Sequence, residues 1–243
     1  MRFSLGDNDK TSYVILFTIL VAISYISRGA MRLEDMIFSL PGVIIAISFH
    51  EFAHAWTADK LGDTTPRAQG RLTLDPKAHL DPKGFILLLF CGVGWGKPVQ
   101  INPNNFTSNK SRQTCEALVS VAGPIMNFIL AIIFTVIFYA ITFFAPKIQI
   151  IQITANLMMW IAIINIGLGV FNLVPLPPLD GEKIFRRFLP YSAIEWLERN
   201  QYTLEIVFLI LWATGVLSML VAPIIRFIFN ILNNVVIAIF SLF

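Results

Sequence analysis

The sequence predicts an all-α polytopic membrane protein, and three observations carry that prediction. Of 243 residues, 56% are hydrophobic and only 14% are charged, against about 25% charged in a soluble domain. The mean hydropathy is +0.71, too high for a surface that must be solvated mainly by water. Runs long enough to cross the roughly 30 Å of hydrocarbon in a bilayer recur from end to end. They read as one integral-membrane domain, 1–243, with no internal repeat, low-complexity tail or soluble module.

Six spans are expected, at about 12–27, 36–58, 117–145, 151–174, 204–222 and 223–243. The first reads as a retained span rather than a signal peptide, because no small-x-small cleavage site precedes "SRGAMRLED". The run "GFILLLFCGVGWG" (84–96) is too short to cross and ends in three spaced glycines, which suits a re-entrant loop. Flanking it, "GRLTL" (70–74) and "KPVQI" (97–101) read as short strands of a β-hairpin between the second and third spans. The last run carries Arg226, Asn230, Asn233, Asn234 and Ser241 on one helical face, so it either spans with that stripe against the bundle or lies at the interface.

Lysine and arginine orient the bundle. Eight lie within 59–116 and four within 182–203, whereas the opposite loops hold Arg28, Arg32 and Lys147. The positive-inside rule then faces the first two regions to the cytoplasm, with both termini inside. The expected setting is the plasma membrane of a prokaryote, with the lipid bilayer as the first expected partner. Basic residues are interleaved with Asp59, Asp63, Asp75 and Asp81 and form no run, so nucleic acid is not an expected partner. Cys91 and Cys115 have no CxxC partner and read as small apolar fillers.

The chemistry concentrates in "SFHEFAHAW" (48–56), at the end of an uncharged run. His50 and His54 are at i and i+4, so a helix places both on one face. Two imidazoles so spaced can bind one Zn²⁺, and Glu51 between them can serve as general base toward a water. His50 lies ten residues before Lys60, about 15 Å at helical rise. An ionisable residue at a helix centre costs roughly 2.5–3.5 kcal/mol. A metal offsets that, since structural zinc binding is worth roughly 10–16 kcal/mol.

A catalytic zinc site needs a third protein ligand. His79 sits in the polar loop "DPKAHLDPKG" and reads as a solvated residue. Asp180 in "FNLVPLPPLDGEKIF" (171–185) is the better candidate. Pro175, Pro177 and Pro178 end the preceding helix, and non-helical backbone at membrane depth must face protein or a water-filled cavity. Gly92, Gly94 and Gly96 would let the re-entrant loop approach a substrate backbone, which makes Gly94 a candidate substrate-binding position. Two other classes of function remain open: a metal-ion transporter or channel lined by His and Asp, and a non-catalytic binder of membrane proteins. Glu51 discriminates, because hydrolysis needs a carboxylate beside the first histidine and an ion path does not.

Taken together, "HEFAHA" (50–55), "AGPIMN" (122–127), "NLVPLPPLDG" (172–181) and "GWGKPVQINP" (94–103) resemble motifs of the site-2 protease family of intramembrane zinc metalloproteases. The resemblance covers about 36–190, in a minimal form without PDZ or CBS domain. It implies one zinc per chain held by His50, His54 and Asp180, and Glu51 as general base. It also implies hydrolysis of peptide bonds in or near transmembrane segments of membrane-protein substrates. Asn172 would hold substrate or oxyanion, with Asn127 a candidate for the same role. The competing reading of both asparagines is hydrogen-bonding between helices.

Overall fold

The structure is a computed structural model that describes residues 33–82, 84–85 and 96–242. The span at 12–27, Cys91, Gly92, Gly94 and most of the run at 84–96 lie outside the described residues.

Among the described residues, four helices are long and apolar enough to cross a membrane. Helix α1 is Leu33–Lys60, opened by Glu34 and Asp35 and closed by Lys60, each charge opposing the adjacent end of the helix dipole. Two short helices follow, α2 (Thr65–Ala68) and α3 (Pro76–His79), then a 3₁₀ turn at Pro103–Asn105. Helix α4 is Arg112–Phe144, capped by Ser111, whose side chain accepts from the Thr114 amide. At 33 residues it is about 50 Å long, so its polar first turns extend beyond the hydrocarbon. Helix α5 is Gln149–Asn172. After a proline-rich turn come α6 (Asp180–Arg186), α7 (Tyr191–Arg199), α8 (Gln201–Ala213) and α9 (Val216–Phe240).

Helices α1, α4 and α5 pack against one another through small and β-branched side chains. Ala46, Ala53, Ala55 and Ala58 of α1 are buried, with Val119 and Ala131 of α4 and Ile161, Ala162 and Ile166 of α5. Small residues suit helix contacts in lipid, where close backbone approach replaces the hydrophobic effect as the source of cohesion. At Gly42 a Cβ would lie 2.6 Å from Ile164 Cδ1 and 3.3 Å from Ile161 Cα, so the α1–α5 crossing depends on its absence. The large side chains point outward: Ile125, Ile129, Ile132, Ile133 and Val136 of α4 are all exposed, as a lipid-facing surface requires.

The expected spans 36–58, 117–145 and 151–174 coincide with α1, α4 and α5, and the expected span 204–222 does not exist as one helix. Helix α8 stops at Ala213 because Gly215 takes φ +79, a left-handed conformation that ends a helix and that other residues adopt poorly. Thirteen residues give about 20 Å, short of a crossing. Pro223, expected to open the last span, lies inside α9.

This break changes the topology. Val221 of α9 packs with Ala131, Ile166 and Val170, and Phe240 meets Phe143 and Phe144 at the far end of α4. Helix α9 therefore runs parallel to α4 and ends on the side opposite the α1 C-terminus. Its Arg226, Asn230 and Asn234 are exposed, whereas Asn233 has its Oδ1 buried, so the polar stripe is divided between the outer face and the bundle.

The β-hairpin is also corrected: among the described residues there is no strand, only one antiparallel bridge between Leu80 and Gly96. The backbone groups of 97–102 are taken up otherwise. Lys97 N donates to His79 O at 2.7 Å, Val99 N to Glu51 Oε2 at 2.8 Å, and Asn102 N to Asp63 Oδ2 at 2.7 Å. Burial disfavours the Asp63 carboxylate, but donors from Thr65, Asn102 and Asn105 outweigh it and hold the group below the usual carboxylate range.

The parallel arrangement of α4 and α9 predicts that Ala68→Cys and Leu242→Cys, in a chain with Cys91 and Cys115 replaced by serine, react with an impermeant thiol reagent from opposite sides of the membrane. Labelling of both from one side would mean that α9 does not cross alongside α4.

Candidate metal centre

His50 and His54 lie one turn apart on α1 and are buried. Asp180 opens α6. It reaches them because the chain folds back beneath the end of α5. A Cβ at Gly181 would sit 2.4 Å from the carbonyl oxygens of Leu173 and Val174, so only glycine permits that return. Three atoms converge: His50 Nε2 and His54 Nε2 are 3.0 Å apart, and Asp180 Oδ2 is 3.0 Å from the first and 3.1 Å from the second.

The far side of each ring decides what these atoms are. His54 Nδ1 lies 2.7 Å from Val119 O, which can only accept, so that nitrogen carries hydrogen. His50 Nδ1 lies 2.7 Å from Asn127 Oδ1. The Asn127 amide nitrogen is committed elsewhere, donating to Ala46 O at 3.1 Å and to Asn165 Oδ1 at 3.0 Å. Its oxygen must therefore face the ring, and His50 Nδ1 is a donor too. Both neutral imidazoles then point Nε2 lone pairs at each other and at a carboxylate. Three acceptors facing one another inside an apolar bundle repel unless a cation sits among them. Ligand atoms around a tetrahedral zinc with 2.0–2.1 Å bonds stand about 3.3 Å apart, a few tenths of an ångström beyond the spacing here. The donor set fits zinc, and the outer hydrogen bonds are those that hold metal-binding histidines in one tautomer.

The wall opposite the rings is built from α4. At Gly123 a Cβ would lie 2.5 Å from His50 Cε1 and from His54 Nε2, so α4 can approach only as glycine. Pro124, next in the helix and buried, has no N–H for the carbonyl one turn back.

Glu51 stands beside the cluster, with Oε2 accepting from Val99 N at 2.8 Å. Asn127, expected as either a substrate residue or helix glue, is bonded to His50 and to two other helices at once. The Asn172 amide donates to Leu168 O, one turn back in its own helix, at 3.0 Å. His79 is corrected from solvated to fully buried, with Nε2 2.6 Å from Thr73 O. Gly123 and Asn165 had no assigned part in the sequence reading. The legible signal was a Gly-Pro pair inside α4 and an asparagine within the apolar stretch 161–171 of α5.

With this geometry in view, the sequence profile of "Peptidase family M50" matches residues 38–151 and 140–214. The chain belongs to that family, the site-2 proteases. Among curated proteins it is 38% identical over 186 residues to "Putative zinc metalloprotease YwhC" of Bacillus subtilis, covering 74% of this chain and 82% of that one. Two further relatives bear the same descriptor. Rip2 of Mycobacterium tuberculosis is 31% identical over 149 residues, 58% of this chain and 53% of Rip2; the chain thus spans about half the length of Rip2. MJ0611 of Methanocaldococcus jannaschii is 31% identical over 159 residues, 62% of this chain and 70% of MJ0611. No solved structure gives a significant match. Kinship with M50 and the four apolar helices support a membrane metalloprotease.

Two substitutions test the surroundings of the cluster. Asn127→Ala removes the acceptor for His50 Nδ1 and should weaken zinc binding about 10–100-fold. Gly123→Ala should drive the rings apart and lower zinc content at least as much. Both are read by titration with a competing chelator. Unchanged affinity in both would separate the α4 wall from metal binding.

Proposed function

We propose that this chain is an intramembrane zinc metalloprotease that hydrolyses peptide bonds in or near transmembrane segments of membrane-protein substrates. The observation that carries the reading is the convergence of His50 Nε2, His54 Nε2 and Asp180 Oδ2 beside Glu51, with both histidines on a helix long and apolar enough to cross a membrane. His50, His54 and Asp180 hold one zinc ion. When bound, zinc supplies Lewis acidity toward the scissile carbonyl and lowers the pKa of water at the site.

The remaining work falls to side chains of this chain. Glu51 takes a proton from the attacking water and delivers it to the leaving amine. Its Oε2 is fixed by Val99 N–H, which leaves Oε1 for the water. Asn127 and Val119 O hold the two imidazoles in the tautomer that presents Nε2 inward. The packed α1–α4–α5 core keeps lipid out. The substrate enters as extended chain, since a helix withholds its carbonyls in its own hydrogen bonds. The lysines and arginines of 59–116 support a cytoplasmic site in a multi-pass prokaryotic plasma membrane.

Two measurements on purified protein test this reading: zinc by mass spectrometry, and cleavage of a lipid-reconstituted transmembrane peptide. Wild type should carry about one zinc per chain and cleave, and Asp180→Ala or His54→Ala should lose most of the metal. Glu51→Gln should keep the zinc and lose at least about 100-fold in rate, within the 10²–10⁴ range of general-base catalysis. Glu51→Gln activity within tenfold of wild type would remove Glu51 from the base role. Full zinc in Asp180→Ala would remove that residue from the ligands.

A further inference from the structure

Arg71 belongs to none of the machinery described so far, yet it is 5% exposed and has no ion-pair partner among the described residues. Its backbone is fixed by the turn that leaves α2, where Gly70 takes φ +67 and Arg71 N donates to Pro66 O at 2.9 Å. From there the side chain crosses to the extended segment 97–100. One nitrogen, Nη2, donates to Lys97 O at 2.9 Å and to Pro98 O at 2.8 Å. The other, Nη1, is buried and has no hydrogen-bond partner among the described residues. The next backbone group along that segment is Val99 N–H, the donor that holds Glu51 Oε2 at 2.8 Å.

The segment is otherwise anchored only at its ends. Lys97 N donates to His79 O at 2.7 Å, and the Gln69 amide meets Gln100 Oε1 at 2.9 Å. Between those points, Arg71 is the one described residue that donates to the two carbonyls preceding Val99. Peptide planes are rigid, so fixing Lys97 O and Pro98 O fixes the direction in which Val99 N–H points. Charge adds a second link. A buried guanidinium without a carboxylate is costly. Burial pushes the Arg71 pKa down, and the charge that opposes this is that of Glu51.

We propose that Arg71 is the positioning residue of Glu51, acting through the Lys97 and Pro98 carbonyls to aim Val99 N–H at the Glu51 carboxylate. The inference rests on the proteolytic reading of the site and adds a residue that touches neither metal nor substrate. Its effect is expected on kcat, because a general base displaced by about 1 Å can lose on the order of 100-fold.

The test uses Arg71→Met, Arg71→Lys and Val99→Pro in the full chain. Arg71→Met should keep one zinc and its thermal unfolding temperature, lower kcat 10–100-fold and leave KM within twofold. Arg71→Lys keeps charge and a donor but not the fork, and should recover part of the loss. Val99→Pro removes the N–H and should reproduce the kcat loss. The double variant should be no slower than the slower single, since both break one relay. Hydrogen exchange of 97–102, which needs no activity, should quicken at least tenfold in Arg71→Met. If wild type fails to cleave while exchange quickens, the proteolytic reading fails and the clamp stands. Unchanged exchange, unchanged kcat, a loss confined to KM, loss of zinc, or multiplicative effects in the double variant would each overturn the proposal.

Discussion

Three lone pairs facing one another inside an apolar bundle are the constraint on which the rest of this structure depends. Nε2 of His50, Nε2 of His54 and Oδ2 of Asp180 stand 3.0–3.1 Å apart. In water such a cluster would be solvated or protonated at little cost. At membrane depth it requires a cation and an outer shell that forbids other tautomers. Asn127 and the Val119 carbonyl supply that shell. Asn127 can do so only because Ala46 O and Asn165 take both hydrogens of its amide. Polar groups on three helices are thus committed to the direction of one imidazole, and the helices are locked in register by the same bonds.

That commitment explains the composition of the helix interfaces. Where α4 passes the two rings, Gly123 leaves no room for a Cβ, and where α1 crosses α5, Gly42 does the same. The return of the chain at Gly181 is equally tight against the end of α5. Many bulky side chains, among them Ile125, Ile129, Ile132 and Ile133 of α4, lie on the outer faces, where lipid accepts them. Outside the bundle the logic reverses. The described stretches 61–82 and 97–111 are rich in polar residues and are held by directed polar contacts. Asp63 gathers Thr65, Asn102 and Asn105, and Arg71 grips the backbone of 97–98. These contacts bring an extended segment against Glu51, so the loop is part of the site although no residue in it is a candidate ligand.

The membrane class, three of the long helices and the cluster of His50, Glu51, His54 and Asp180 were legible in the sequence because each leaves a local trace. Hydropathy marks a span wherever it lies, i and i+4 histidines share a face in any helix, and three prolines before Asp180 must end one. Other features leave no such trace. A glycine at φ +79 and a glycine in loose surroundings are spelled alike, so the break at Gly215 that ends α8 was hidden. The segments 70–74 and 97–101 have the composition of strands. Whether they pair depends on competition for their backbone groups, which an arginine side chain and a glutamate won.

The sequence by itself determined the membrane character of this protein and that His50, Glu51 and His54, at the end of an uncharged run, need compensation. Both follow from transfer free energies that act residue by residue. Only the tertiary structure decided which partners fix that site. It gave Asn127 to His50 and left Asn172 bonded to its own helix, and it buried His79 and Arg71 in a loop that reads as polar and open. It also ran α9 parallel to α4. The physical reason is common to all four. Hydrogen bonds and close packing are settled between residues distant in the chain, where composition and spacing carry no information about distance or direction.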